Sequence, residues 1–553
     1  MQHLTLSLTR PLVSSETTDD FPLHDGVSLF GHPTHAGELA DALVASAATP
    51  ADTGTGTGTD VAYPAAIAGS SGHWAGVVEG PDRVTLFADH LRSYPLFYCV
   101  LPSGVIVTDD IAEARRLSGL NAREAKAAAE FLSLGFVTGA QTLFTGIRQV
   151  QAGERITIHA DGRVESAFTR RTKYTGRDIT DDEPANERFT TAFDRALDAM
   201  FSWVGDRQVV VPLSGGLDSR LTLIALRDRG VENVLAFTYG VADSREATIS
   251  REVAERLGYR WEFVEYDPEG LRTAWAGKDA GDFVRASYAG ASLPHVQDWF
   301  AVRELQRRGV LASDAVFAPG HCIVGNGHDD EIIDAPGTVS REQMLDLILG
   351  HHASMRAGGR QALVRDSDFS AKVYAYFDRV GFDGSPLARW QTLEDWNLLE
   401  RQTKYINNSV RTYEHFGYDW AMPMLDRELF EAWEDFALNI TRDRDWYHRY
   451  VFNRYEATTG ERIGTFTATN VSASKRDAVK RVLASLGLLD AVTRRITLRA
   501  VEHHPMSFQA FLGAATPRQL RREILRGGTQ MGLYTEQFLA DTWSPTAHIF
   551  DSH

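Results

Sequence analysis

"VVVPLSGGLDSRLTLIAL", residues 209–226, decides the fold. A run of strand-type apolar residues stops at Ser214-Gly215-Gly216 and restarts as an amphipathic stretch closed by Gly230. That change of period predicts a buried strand, a turn and a helix. The pattern then recurs: "NVLAFTYG" (233–240) reads as a second strand, "SREATISREVAERLG" (244–258) as a second helix with the same glycine stop, and "RWEFVEYD" (260–267) as a third strand. This βαβαβ order implies a parallel sheet with right-handed crossovers. Ligands of such sheets bind at the carboxyl ends of the strands, where loops enter helix N-termini. The expectation is that Leu213, Ser214, Gly215, Gly216, Asp218 and Ser219 form an anion cradle: the glycines let the backbone turn tightly, and N–H groups and a helix dipole face a diphosphate. Ser214 and Ser219 supply hydroxyl donors, and Asp218 can hold Mg²⁺. A serine-capped Gly-Gly turn is the plain alternative. The whole SGGLDS string between a strand and a helix favours the cradle.

The rest of the chain bounds the function. Its 553 residues allow two to four domains, and 43% hydrophobic with 24% charged residues is ordinary globular composition. A net charge of −17 and the absence of a dense basic run argue against nucleic acid and anionic membrane as partners. Seven lysines stand against 50 arginines, so each lysine draws attention. Cys99 and Cys322 lack metal-ligand spacing. No apolar run reaches the roughly 18 residues of a membrane helix, and "MQHLTLSLTRPL" is no signal peptide. A soluble, cytoplasmic protein is expected; its oligomeric state, a homodimer included, stays open.

The first 170 residues read mostly as short strands, among them "HWAGVVEG", "RVTLFAD", "LFYCVL" and "GVIVTDD". "TPADTGTGTGTD" (49–60) reads as a loop, and "NAREAKAAAEFLSLGF" (121–136) as a helix after an Asn cap. "PANERFTTAFDRALDAMFSWV" (184–204) reads as an amphipathic helix opening a second domain, and residues 270–553 as mainly helical.

SGGLDS resembles the pyrophosphate loop of the ATP pyrophosphatases (PP-loop proteins), in their asparagine synthetase-like branch. The resemblance implies ATP and Mg²⁺, a carboxylate activated as an acyl-adenylate, and an amine that displaces AMP. Phe237 and Thr238 take the place beside adenine; Asp243 and Glu246 take that of acidic residues facing the nucleotide. "GHCIVGNGHDDEI" (320–332) resembles a Gly-Glu-Gly-x-Asp-Glu segment, giving Gly325 a nucleotide-side place and Asp329 the second metal place. Asp330 competes with Asp329, and Asn326 stands where the acidic residue that polarises the amine is expected. "FAPGH" (317–321) offers a rival alignment to a Pro-Gly-His segment. "NVSASKRDAVK" (470–480) places Lys475, ahead of Lys480, as the cation that stabilises charge on the adenylate phosphate. "SLPHVQDW" (292–299) and "RQTKYINNSVRTYEHFGYDWAMPMLD" (401–426) resemble asparagine synthase-like proteins associated with surface polysaccharides, with Arg411, Tyr413 and Glu414 on the substrate side.

"LFADHLRSYPLFYCVLPSGVIVTDDI" (86–111) and the passage 131–158 resemble the amidohydrolase half of asparagine synthetases. The resemblance therefore implies an α/β chain: an N-terminal α+β Ntn-glutaminase-like sandwich over 1–175, then a PP-loop synthetase domain with a large helical part over 176–553. Gln2 stands where such a glutaminase carries its nucleophilic cysteine. The first domain is therefore expected to be a relic, as in the β-lactam synthetases and lasso-peptide cyclases. Three functions stay open: a ligase joining a small-molecule, peptide or glycan carboxylate to a substrate amine or free ammonia; an amidotransferase given ammonia by another protein; and a silent nucleotide-binding pseudoenzyme. Arg220, where many relatives carry a second serine, keeps the last alive.

Overall fold

The computed structural model describes residues 4–13, 26–48, 65–168, 178–288, 290–325, 335–461, 489–503 and 516–540. They form a mixed α/β protein with parallel and antiparallel sheets and many helices.

The expected βαβαβ unit is present. Strand β1 (Val209–Pro212) pairs in parallel with β2 (Val234–Gly240), and β2 with β3 (Arg260–Glu265). Two short strands extend the sheet on the other side of β1: β4 (Val316–Phe317) and β5 (Asp419–Trp420). The order β3-β2-β1-β4-β5 reverses at β1 and β4. That reversal opens a crevice beyond the carboxyl ends of those two strands. Val209, Val210 and Val211 are wholly buried, as a central strand covered on both faces requires.

Helix α1 (Asp182–Val204) precedes β1 and turns Phe189, Phe193, Leu197 and Met200 to the core. Helix α2 (Asp218–Asp228) joins β1 to β2, and α3 (Arg245–Arg256), capped by Ser244, joins β2 to β3. Gly230 and Gly258 close them at φ +69° and +76°, left-handed values that glycine adopts without strain. The helical remainder includes α4 (Pro386–Trp396), which runs straight into a π-helical stretch, Asn397–Ile406. It also includes α5 (Asp445–Thr459), tied to the end of α2 by Arg454 and Thr458 on Asp228.

The N-terminal region holds two further sheets. One is antiparallel and five-stranded: Val27–Pro33, Gly72–Glu79, Arg83–Ala88, Glu154–His159 and Val164–Phe168. The other is four-stranded, with Leu4–Ser7 parallel to Gly104–Thr108 and Phe97–Leu101 between Gly104–Thr108 and Arg148–Gln149. The helix at 125–134 starts at Glu124, with no side-chain cap, rather than at Asn121; Asn121 instead accepts from Arg115. One apolar core runs from Phe30 through β1 and β2 to Phe538. Polar ties cross between the regions: Asp426 accepts from Gly72 N and Ser71 Oγ, and Met422 N donates to His73 Nε2 at 2.9 Å. The stretch 49–60 and the boundary at 175 fall outside the described residues.

Candidate active site

β1 leads into Leu213, whose N–H donates to Phe237 O (2.7 Å) and whose carbonyl accepts from Thr238 Oγ1 (2.7 Å). The chain beyond it is a set of nested bonds. Ser214 N donates to Ser219 Oγ and Gly216 N to Ser214 Oγ, both at 3.2 Å; Gly215 O accepts from Arg220 Nη2 at 3.3 Å. Neither Gly215 nor Gly216 adopts the left-handed conformation, so a tight turn is not what demands glycine here. Space is tight at Gly216, where a Cβ would lie 3.1 Å from Ser214 Oγ, a hydroxyl that can turn aside. A third glycine completes the cradle. Gly320, in the loop after β4, lies so close that its Cβ would meet Ser219 N at 2.7 Å. The FAPGH loop is thus laid across the N-terminus of α2, at the reversal of strand order.

Two cavities meet at this place. One of about 240 Å³ is lined by Ser214, Ser219, Tyr239, His295, Asp298 and His321 among others. The second, about 420 Å³, runs from Gly320–Gly325 to Glu394, Asn397, Arg401 and Gln402. Asp218, Gly320 and His321 line both. The Asp218 side chain is 27% exposed and paired with Arg444, the residue that opens α5. Burial pushes its carboxyl above the usual carboxylate range, while Arg444 and Tyr447 oppose the rise. Asp218 is thus a half-buried carboxylate with a cation beside it, at the mouth of an N–H-lined loop.

Chemistry on the far wall comes from α4 and the π-helical stretch. Residues 393/394, 397/398 and 401/402 present one face to the larger cavity. π-Helical geometry is rare and concentrates at functional sites. Glu394 is 8% exposed, its Oε2 has no hydrogen-bond partner among the described residues, and burial pushes its carboxyl up to about 8. Arg401 sits on the same wall, its guanidinium pulled down by burial. His321, pulled down to about 3 by burial and by nearby His295, stays neutral between Met422 Sδ (3.2 Å) and Ser409 Oγ (3.3 Å).

Residues 189–310 match the family described as Asparagine synthase, so the chain carries an asparagine synthase domain and is asparagine synthetase-like over that segment. Among curated proteins it is similar to a carboxyethyl-arginine beta-lactam-synthase of Streptomyces clavuligerus, 31% identical over 206 residues. That match covers 34% of this chain and 34% of the relative, so it spans about a third of each. Solved structures it resembles include glutamine phosphoribosylpyrophosphate amidotransferase from B. subtilis complexed with ADP and GMP (12% identity, 66% of this chain, 77% of that chain, TM-score 0.17). Another is described as the allosteric regulatory enzyme of purine biosynthesis (11%, 62%, 73%, TM-score 0.16). Scores so low carry no argument.

The expected residues fall into three groups. Ser214, Gly215, Gly216, Asp218 and Ser219 come together in one loop, and Glu246 reaches it, its carboxylate accepting from Gly215 N at 3.3 Å. Gly325 lines the larger cavity. Asn326, Asp329, Asp330, Lys475 and Lys480 lie outside the described residues. Other expectations meet a different geometry. The Phe237 ring is wholly buried against Phe317, and Thr238 is spent on Leu213 and Trp261, so neither side chain is offered to a nucleotide. Asp243 is exposed at φ +56° in the turn before α3, while Ser244 caps that helix. Arg411 and Glu414 pair with each other and reach Ser93 and Arg10, and Tyr413 donates to Asp298 at 2.8 Å. None of the three lines either large cavity. Gly320 and His321 belong to the FAPGH stretch that offers the rival alignment. Nothing in the sequence singles out Glu394, Arg401 or Arg444: an isolated Glu or Arg in a helical stretch carries no signal until the fold turns it inward.

The loop fits a diphosphate: backbone N–H groups, a helix N-terminus, Arg444 close by, and glycines where a Cβ would intrude. For Mg²⁺, Asp218 is the loop's own carboxylate; no cluster of three metal-ligating side chains occurs among the described residues.

Proposed function

We propose that this protein is an ATP-dependent carbon–nitrogen ligase that activates a substrate carboxylate as an acyl-adenylate, releasing pyrophosphate, and passes the acyl group to an amine. In this reading residues 1–175 form a glutaminase-like sandwich and residues 176–553 a PP-loop synthetase. The observation that carries the reading is the Ser214–Ser219 loop at the strand-order reversal, with Asp218 shared between two cavities. The smaller cavity takes the phosphates. Gly216 N and the first turn of α2 hold the departing diphosphate, and Glu246 gives up Gly215 N to it. Mg²⁺ would screen the phosphate charge, held by Asp218 and, on the family resemblance, Asp329. The larger cavity takes the carboxylate and the amine, so that the acyl carbon lies near Gly320, where the two cavities join. An amine entering as ammonium favours the ionised form of Glu394, which gives its own proton to solvent; the carboxylate, with a pKa of about 8, then takes the proton of the amine. Lys475, on the resemblance, balances the charge that develops as AMP leaves.

A substrate-borne amine is favoured over glutamine as the nitrogen source. Burial pushes the Cys99 thiol up to about 11, and the Cys322 thiol is raised further by burial beside Asp218. Neither is a thiolate nucleophile at neutral pH. The test is pyrophosphate release from ATP with candidate amino-carboxylates. Asp218→Asn is expected to abolish release with the circular dichroism spectrum unchanged. Turnover equal to the wild type, or glutamate formed from glutamine by the pure protein, contradicts the reading.

A further inference from the structure

A third, much smaller cavity lies where the turn after strand Arg83–Ala88 meets the π-helical stretch. Its volume is about 20 Å³, room for one water-sized particle. Arg92, Lys404 and Arg411 line it together with Asn407, and no Asp or Glu among the described residues does. Lys404 is paired with Glu400 and Arg411 with Glu414. Arg92 has no ion pair among the described residues. Its Nε donates to Val150 O at 3.0 Å, and its Nη2 is buried without a hydrogen-bond partner. Asn407 is in the same position: Oδ1 accepts from Gln402 Nε2 at 2.9 Å, and Nδ2 is buried and unpartnered. The two residues are 6% and 4% exposed.

A buried cation without a partner is unfavourable. Burial, followed by repulsion from Arg411 and Arg10, pulls the Arg92 guanidinium down to about 9, with Glu400 opposing in part. Its backbone is held at φ +51°, left-handed and strained for a side chain of this size. Asp89, which accepts from the N–H groups of Trp74, Leu91 and Ser93, pins the turn that carries it. Two unused N–H donors, a guanidinium without an ion pair among the described residues and a volume too small for a tetrahedral oxyanion define one ligand chemistry. We propose that Arg92 and Asn407 bind a single monatomic anion, a halide of chloride's size. The ion neutralises Arg92 and fixes the Asn407 amide. Through Asn407 Oδ1 it also steadies Gln402, which lines the 420 Å³ cavity.

The test compares melting of the full chain in sodium chloride, sodium bromide and sodium gluconate at equal ionic strength, and locates bromide by its anomalous scattering in crystals. Wild-type protein is expected to melt about 1–2 °C higher in either halide than in gluconate, with a bromide peak between Arg92 and Asn407. Arg92→Met is expected to lose the difference. Asn407→Asp, which supplies a carboxylate for Arg92, loses it too but melts in gluconate no lower than the wild type, so the test survives an Arg92 variant that fails to fold. Equal melting in all three salts, as with a water alone in the cavity, overturns the proposal. So does a halide effect unchanged in both variants, or a bromide map blank at this place.

Discussion

Glu394 is the residue whose setting departs most from what its type prefers. A carboxyl pushed to about 8 must hold its proton or be buried charged, whereas the unfolded chain releases that proton near 4.5. The unfolded state therefore binds fewer protons through that window, and stability falls as pH rises from about 4.5 to 8. Each pKa unit corresponds to about 1.4 kcal/mol. Glu394→Gln removes the titration. The variant is expected to melt above the wild type at pH 9, with the gap closing toward pH 5, in parallel thermal scans. A wild-type advantage at pH 9 contradicts the assignment. In the proposed function a cationic amine bound beside Glu394 offsets that cost. The same comparison tells how much of the site the sequence carried. Asp218 announced itself through neighbours in the chain. Glu394 and Arg444 come to the site from stretches 176 and 226 positions further on, where nothing nearby marks them.

Among elements, the loop after β4 and the loop after β1 form one unit. Gly320 against Ser219 is a contact of backbone on backbone, whereas the Gly216 neighbour is a hydroxyl that can turn aside. Gly320→Ala is expected to cost about 1–3 kcal/mol, several times the cost of Gly216→Ala, as read from denaturant midpoints. Equal costs contradict the close approach of the two loops. The βαβαβ order was legible because strands and helices of ordinary length show their periods; β4 and β5, two residues each, are below what any period reveals. The Asn121 cap failed because the helix begins three residues later, where the chain leaves its bridge to Phe144.

At the scale of the molecule, a neutral buried histidine, His73, ties an N-terminal sheet to the segment that follows β5. Burial, followed by His90 and His32, pulls the His73 imidazole down to about 3, and its Nε2 accepts the N–H of Met422. Protonation would put a cation opposite a donor. Since the unfolded imidazole titrates near 6.5, stability present above that value is lost as pH falls toward 3. His73→Gln, which keeps an acceptor without titrating, is expected to flatten the acid limb of the stability profile between pH 6 and 4. An unchanged limb contradicts a part for His73. Such ties between segments some 350 residues apart leave no mark on either one. The sequence could announce two kinds of region, but not how they lock.

The most direct measurement is the affinity of the full chain for an ATP analogue whose α–β bridging oxygen is methylene, with Mg²⁺, in wild type and in Gly216→Val. The branched side chain would stand in the Ser214–Ser219 cradle without touching the larger cavity. The expected result is binding by the wild type and a loss of at least about tenfold in the variant, or about 1.4 kcal/mol. Equal affinity in both proteins, or no binding by the wild type, would contradict a diphosphate held by this loop.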